Sequence, residues 1–114
     1  MTSWKVIWWN EAKEDFAKLD RSQSILVRKY IQKVSQNPLP QNEGGYGKPL
    51  GNKLNTNLSG CYKIKLRDAG IRIVYRLQRT KHGMEIIIIG MRASAEVYDL
   101  AAKRIEKHIN DSGD

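Results

Sequence analysis

Apolar and cationic positions alternate from Tyr62 to Arg67 and again from Ile71 to Leu77, the period-two pattern of strands that bury one face. Tyr62, Ile64 and Leu66 fall on one side of the first strand, and Lys63, Lys65 and Arg67 on the other. In the second strand Ile71, Ile73, Tyr75 and Leu77 oppose Arg72, Val74 and Arg76. An even-length turn around Asp68, Ala69 and Gly70 brings both basic rows to the same face. An odd register would drive lysines into the core, where unpaired charge is too costly. The pattern predicts a hairpin with one cationic face, a rigid platform for phosphates.

The flanking segments supply the rest of the fold. Trp4 to Trp9 is aromatic and β-branched and reads as a strand, with Asn10 as the expected N-cap of a short helix whose apolar side is Ala12, Phe16 and Leu19. Asp20 caps a second helix, and Gln23 completes a capping box. Val27, Tyr30, Ile31 and Val34 recur there at helical spacing, while Arg28, Lys29 and Lys33 form a solvated face. Such close helices form an αα-hairpin. From Asn37 to Gly60 the chain collects Pro38, Pro40 and Pro49 with Gly44, Gly45, Gly47 and Gly51, and reads as a long loop. Its GGYGKP stretch lacks the spacing and hydroxyl residue of a phosphate loop and reads as flexible.

After a polar turn from Arg79 to Gly83, Met84 to Ile89 is a third consecutive strand. Four isoleucines in a row cannot alternate in and out, so this strand is expected to be central, with both faces covered. Ser94 is the expected cap of a last helix with Val97, Leu100, Ala101 and Ile105 as its apolar stripe. The predicted order is β-α-α-β-β-β-α. It describes an α+β fold with a largely antiparallel four-stranded sheet, an N-terminal αα-hairpin and a C-terminal helix. Residues 1–110 are expected to form one domain and 111–114 a frayed polar tail.

Charge narrows the partner. The 114 residues carry 20 Lys and Arg against 12 Asp and Glu, a formal charge of +8, and the pI is near 9.7. A polyanion is indicated, and nucleic acid ranks ahead of a membrane because no long basic amphipathic helix or apolar anchor is present. The longest apolar run, Ile86 to Ile89, is far too short to span a bilayer, and no secretory signal follows Met1. Cys61 is the single cysteine, so an internal disulfide is excluded, and a cytoplasmic location is expected. With His82 in a turn and His108 near the end of the last helix, no metal-ligand set forms, and no metal or cofactor is expected. Trp4, Trp8 and Trp9 should divide between core and surface, with Phe16 and Tyr75 in the core.

Two residues turn a basic surface into a candidate active site. Arg92 follows the central strand directly, and Tyr98 lies one step off the apolar stripe in the first turn of the last helix. Together with the strand cations they suit a phosphodiester and a stacked base. Cleaving RNA requires activation of a 2′-hydroxyl, stabilisation of a negatively charged phosphorane, and protonation of the departing 5′-oxygen. No carboxylate or imidazole is placed for the first task, so a lysine made a better proton acceptor by neighbouring cations must serve. Lys65, between Lys63 and the cross-strand Arg72, is best positioned, and Arg67, Arg76 and Lys53 are expected RNA contacts. Such a site makes a poor enzyme unless something else orients the RNA. A basic RNA-binding module without chemistry is the alternative reading of the same residues.

The runs CYKIKLRDAGIRIVYRL, IIIIGMR and SAEVYDLAAKRI together resemble the RelE toxins of the RelE/ParE superfamily of bacterial type II toxin–antitoxin modules. The resemblance implies a ribosome-dependent mRNA endonuclease that cuts mRNA in the ribosomal A site and halts translation. Its two strand lysines match Lys63 and Lys65, its arginine on the next strand Arg72, the arginine beyond the last strand Arg92, and its tyrosine Tyr98. By analogy Lys65 is the base, Lys63 and Arg72 stabilise the transition state, Arg92 assists the leaving oxygen, and Tyr98 stacks on or orients a nucleotide. The partners implied are a cognate RelB-like antitoxin, mRNA and the ribosome, engaged at the A site on its smaller half. Operator DNA is implied only through the antitoxin complex, and no membrane. Antitoxin carboxylates are expected against the cationic face, with a shift of the last helix. Met91 and Ser94 stand where close relatives carry further basic residues, and the loop before Cys61 is longer than in compact relatives. A ParE-like DNA gyrase inhibitor shares the fold but has no need of the two lysines, two arginines and tyrosine together.

Overall fold

A computed structural model describes residues 3–51, 58–91 and 94–112. Strand β1 (Lys5–Trp8) leads into α1 (Asn10–Ala17) and α2 (Arg21–Ser35). Strands β2 (Lys48–Gly51), β3 (Leu58–Leu66), β4 (Ile71–Gln78) and β5 (Gly83–Gly90) follow, and α3 (Ser94–Ser112) closes the chain. The sheet has five strands in the order β1-β5-β4-β3-β2; β1 runs parallel to β5 and the other pairs are antiparallel.

The α+β fold is as expected, but the sheet has one strand more than the four anticipated. The extra strand, β2, lies inside the stretch read as a loop. Proline is tolerated there because β2 is the outermost strand, where a missing N–H breaks no ladder on the solvent side. The segment before it is also tied down rather than flexible. Tyr75 Oη donates to Pro38 O at 2.9 Å, and a Cβ at Gly47 would sit 2.7 Å from that hydroxyl. At Gly45 a Cβ would meet Leu39 O at 2.0 Å, so only glycine allows this close approach. Arg79 clasps Glu43 through both terminal nitrogens, at 3.0 and 2.9 Å, and this holds the Glu43 carboxyl below its ordinary range.

Helix starts follow their local chemistry. Asp20 accepts from Gln23 N at 2.8 Å while Gln23 Oε1 accepts from Asp20 N at 3.0 Å, the expected capping box. At α1 the N-cap is Trp9, without a side-chain cap, and Asn10 is already the first helical residue. Trp9 is held elsewhere: its indole Nε1–H donates to Glu85 Oε1 at 2.7 Å. Helix α3 begins at Ser94, whose side chain lies outside the described residues, and it extends to Ser112, past the start of the expected tail.

The isoleucine strand β5 lies between β1 and β4 and is buried from Gly83 through Ile89. Tyr62, Ile64, Leu66, Ile71, Ile73 and Tyr75 are buried on the hairpin face opposite the basic rows, and Val27, Ile31 and Val34 supply the buried side of α2. Helix α3 packs mainly on β5 and reaches β4 and β3, with Val97 and Ala101 buried. A clamp fixes its middle. Asp15 of α1 accepts from Ile89 N at 3.0 Å and from Arg104 at 2.7 Å, and Arg104 also donates to Ile87 O at 2.9 Å. One carboxylate thus joins two helices to the central strand.

Cys61 is free and 3% exposed, and burial pushes its thiol up from 9.0 to about 11, against a smaller downward pull from Arg76. Below pH 9 the thiol is neutral in both folded and unfolded chains, so its contribution to stability is fully present. Above pH 9 the unfolded chain loses the proton first, and that contribution is lost as pH rises to about 11. Urea unfolding of the parent should therefore lose about 2 kcal/mol more than Cys61→Ala across that window. Equal losses in the two proteins would refute the assignment.

Candidate functional site

The hairpin turn is even, as the alternation requires. Leu66 pairs with Ile71, and the residues between them form a single 3-10 turn, Arg67–Ala69, closed by Gly70 at φ 67°. Lys65 consequently lies directly opposite Arg72, and Arg72 in turn opposite Gly90 of β5. Directly opposed residues share a face. Lys63, Lys65 and Arg72 are each half-buried on the face that α3 partly covers, and Arg67 is exposed at the turn.

Gly90 sets how close the helix comes. A Cβ there would lie 2.6 Å from Val97 Cγ2, so the first turn of α3 rests on bare backbone beside Arg72. Tyr98, the next residue, is 3% exposed in this docked position. Its ring is a wall of the site rather than an open stacking platform. Arg92 and Lys53 lie outside the described residues. Met91 is exposed, with Gln23 Nε2 at 3.4 Å from its sulfur.

Farther along the same face the charges are engaged. Arg76 lies opposite Glu85 and donates through Nε to Glu85 Oε1 at 3.2 Å, with its guanidinium 5.0 Å from the centre of the Trp9 ring. Glu85 is 2% exposed, and among the described residues its Oε2 has no hydrogen-bond partner. His108 stacks on the other partner of this carboxylate, Trp9, at 4.1 Å and 9°. Arg76, expected as an RNA contact, is thus turned into a structural cluster near the C-terminal part of α3. His82 stacks likewise on Trp4, at 4.1 Å. Among the described residues no three His, Cys, Asp or Glu side chains gather as metal ligands, and no helix is long and apolar enough to cross a membrane.

One cation escaped the sequence reading. Lys48 of β2 is exposed and opposite Lys63, so it leaves the sheet on the basic face. No period-two signal marked it: Lys48 and the buried Leu50 stand two apart, a spacing that shares one face of a regular strand, and the register shift between Pro49 and Gly51 interrupts that pattern.

The fold that carries this row of cations is shared with known proteins. Over 54 residues, 47% of this chain and 56% of the relative, the sequence is 46% identical to the mRNA interferase toxin RelE of Escherichia coli strain K12. A double mutant of E. coli toxin RelE in the free state superposes with a TM-score of 0.71 at 28% identity, covering 91% of this chain and 99% of that one. In sequence and in fold the chain is similar to the RelE toxins. E. coli RelE bound to an antitoxin RelBc peptide is another such structure, with a TM-score of 0.65 at 26% identity over 90% of this chain and 98% of that one. No protein-family model matches. The chain spans a little over half the length of the curated RelE toxins it matches, 56%.

Proposed function

We propose that this chain is the toxin of a type II toxin–antitoxin pair and a ribosome-dependent endonuclease that cuts mRNA in the ribosomal A site. The observation that carries the reading is the row Lys65–Arg72 with Lys63 beside it, like charges set against one another on a rigid sheet in a RelE fold. Directly opposed like charges weaken a strand pair, and an anion seated between Lys65 and Arg72 relieves that repulsion.

In the proposed step Lys65 takes the proton of the 2′-hydroxyl, and the freed oxygen attacks the adjacent phosphorus. Lys63 and Arg72 neutralise the charge that builds on the phosphorane oxygens. The bond from phosphorus to the 5′-oxygen breaks, that oxygen takes a proton from the side of Arg92, and the products are a 2′,3′-cyclic phosphate and a 5′-hydroxyl. Tyr98 orients the nucleotide against the site. Among the described residues Lys65 has no carboxylate partner, so positioning must come from outside, which is the part assigned to the ribosome. The proposed protein partner is an acidic, RelB-like antitoxin that covers the cationic face and displaces α3, carrying Tyr98 with it.

Primer extension on purified ribosomes with a vacant A site tests this. A cut confined to the A-site codon, absent without ribosomes and lost in Arg92→Ala, is the expected result. No cut in any condition would overturn it in favour of a gyrase-directed toxin or a binding module without chemistry.

A further inference from the structure

The cations extend one strand beyond those the cleavage step uses. Lys48 and Lys63 form a like-charge pair across β2 and β3, next to the like-charge pair of Lys65 and Arg72 across β3 and β4. Among the described residues neither Lys48 nor Lys65 has an ion-pair partner. An edge strand gains protection from any lysine, on either face, and Pro49 already blunts this edge. Edge protection therefore gives no reason for Lys48 to stand opposite Lys63. From β4 to β2 the row covers two strand spacings, about 10 Å, which is wide for one phosphate and suits two.

We propose that Lys48, on the strand beyond Lys63, forms a second phosphate subsite, which holds the mRNA phosphate adjoining the scissile one that Lys63, Lys65 and Arg72 hold. The inference rests on the nuclease reading above. In it Lys48 binds and takes no part in bond making. The subsite fixes which linkage of the A-site codon lies over Lys65, because gripping one phosphate sets the register of the next.

The test uses the full chain, its Lys48→Gln and Lys48→Arg variants, and programmed ribosomes with a vacant A site. The mRNAs carry either ordinary phosphates or one neutral methylphosphonate on either side of the scissile linkage. Lys48→Gln should raise the protein concentration giving half-maximal single-turnover cleavage about tenfold, the worth of one charge-assisted contact, with the maximal rate within about twofold. Lys48→Arg should restore it. A neutral linkage on one side should weaken the parent by a similar factor and leave Lys48→Gln unaffected. Were the neutral linkage to weaken Lys48→Gln as much as the parent, Lys48 would be touching ribosomal RNA and the mRNA subsite would be wrong. An unchanged half-maximal concentration in Lys48→Gln would leave Lys48 as edge protection only. Filter retention of the same ribosomes scores the same pairwise effect on binding. The subsite is thus judged even if the parent makes no cut, a result that would count against the nuclease reading alone.

Discussion

Lys65→Ala will lower single-turnover mRNA cleavage on vacant-A-site ribosomes by about 10²–10⁴-fold, the range supplied by a positioned general base. Ribosome association should stay within about twofold of the parent. The same substitution should also raise the melting temperature by a few degrees, because Lys65 faces Arg72 directly and removing one of two opposed like charges is worth about 0.2–1 kcal/mol. Loss of activity with a gain of stability is hard to obtain from a residue whose role is structural. A variant that still cuts at the parent's rate would remove Lys65 from the chemistry. One that melts well below the parent would show that the lysine supports the fold.

Arg76→Ala is expected to destabilise the fold by about 3 kcal/mol. Its guanidinium is the cation hydrogen-bonded to Glu85, a carboxylate 2% exposed whose other donor in the described structure is the Trp9 indole. Arg76 itself keeps a side-chain exposure of 27%, so water relieves part of the loss and the larger figures for fully buried pairs do not apply. Thermal unfolding followed by circular dichroism should fall by on the order of 10 °C. Adding Glu85→Gln to Arg76→Ala should recover a substantial part of it, since the neutral amide still accepts from Trp9 without a buried charge. A melt within about 2 °C of the parent for Arg76→Ala, or no recovery in the double variant, would contradict this account.

The same two rows mark the boundary of what the sequence reveals. The hairpin register was legible because burial on one face and charge on the other leave a single allowed pairing, Lys65 with Arg72. The Asp20 cap was legible because Gln23 completes a local pattern, and β5 because an unbroken isoleucine run has no polar face to present to water. Strand β2 was not, since Pro49 argues against a strand everywhere except at an edge, and edge position is a property of the finished sheet. Lys48 was lost with it. Alternation also assigns Arg76 to the basic face without showing that Glu85 and Trp9 claim it there. That contact needs the register between β4 and β5, where a shift intervenes between Val74 and Tyr75. For Tyr98 the helical stripe gives the approximate direction, while its burial depends on how closely Val97 approaches Gly90.

The parallel pairing of β1 with β5 has a consequence for the order in which the molecule comes into being. Lys5 to Trp8 pair with Gly83 to Ile86, so the first strand made finds its sheet neighbour only after most of the chain has been synthesised. The hairpin of β3 and β4 is local and forms early, whereas the clamp of Asp15 with Arg104 waits for α3. Until then the nascent chain carries its lysines on an unsupported hairpin, without the helix that walls the site. The finished cationic surface is therefore complete only once α3 has docked on the sheet.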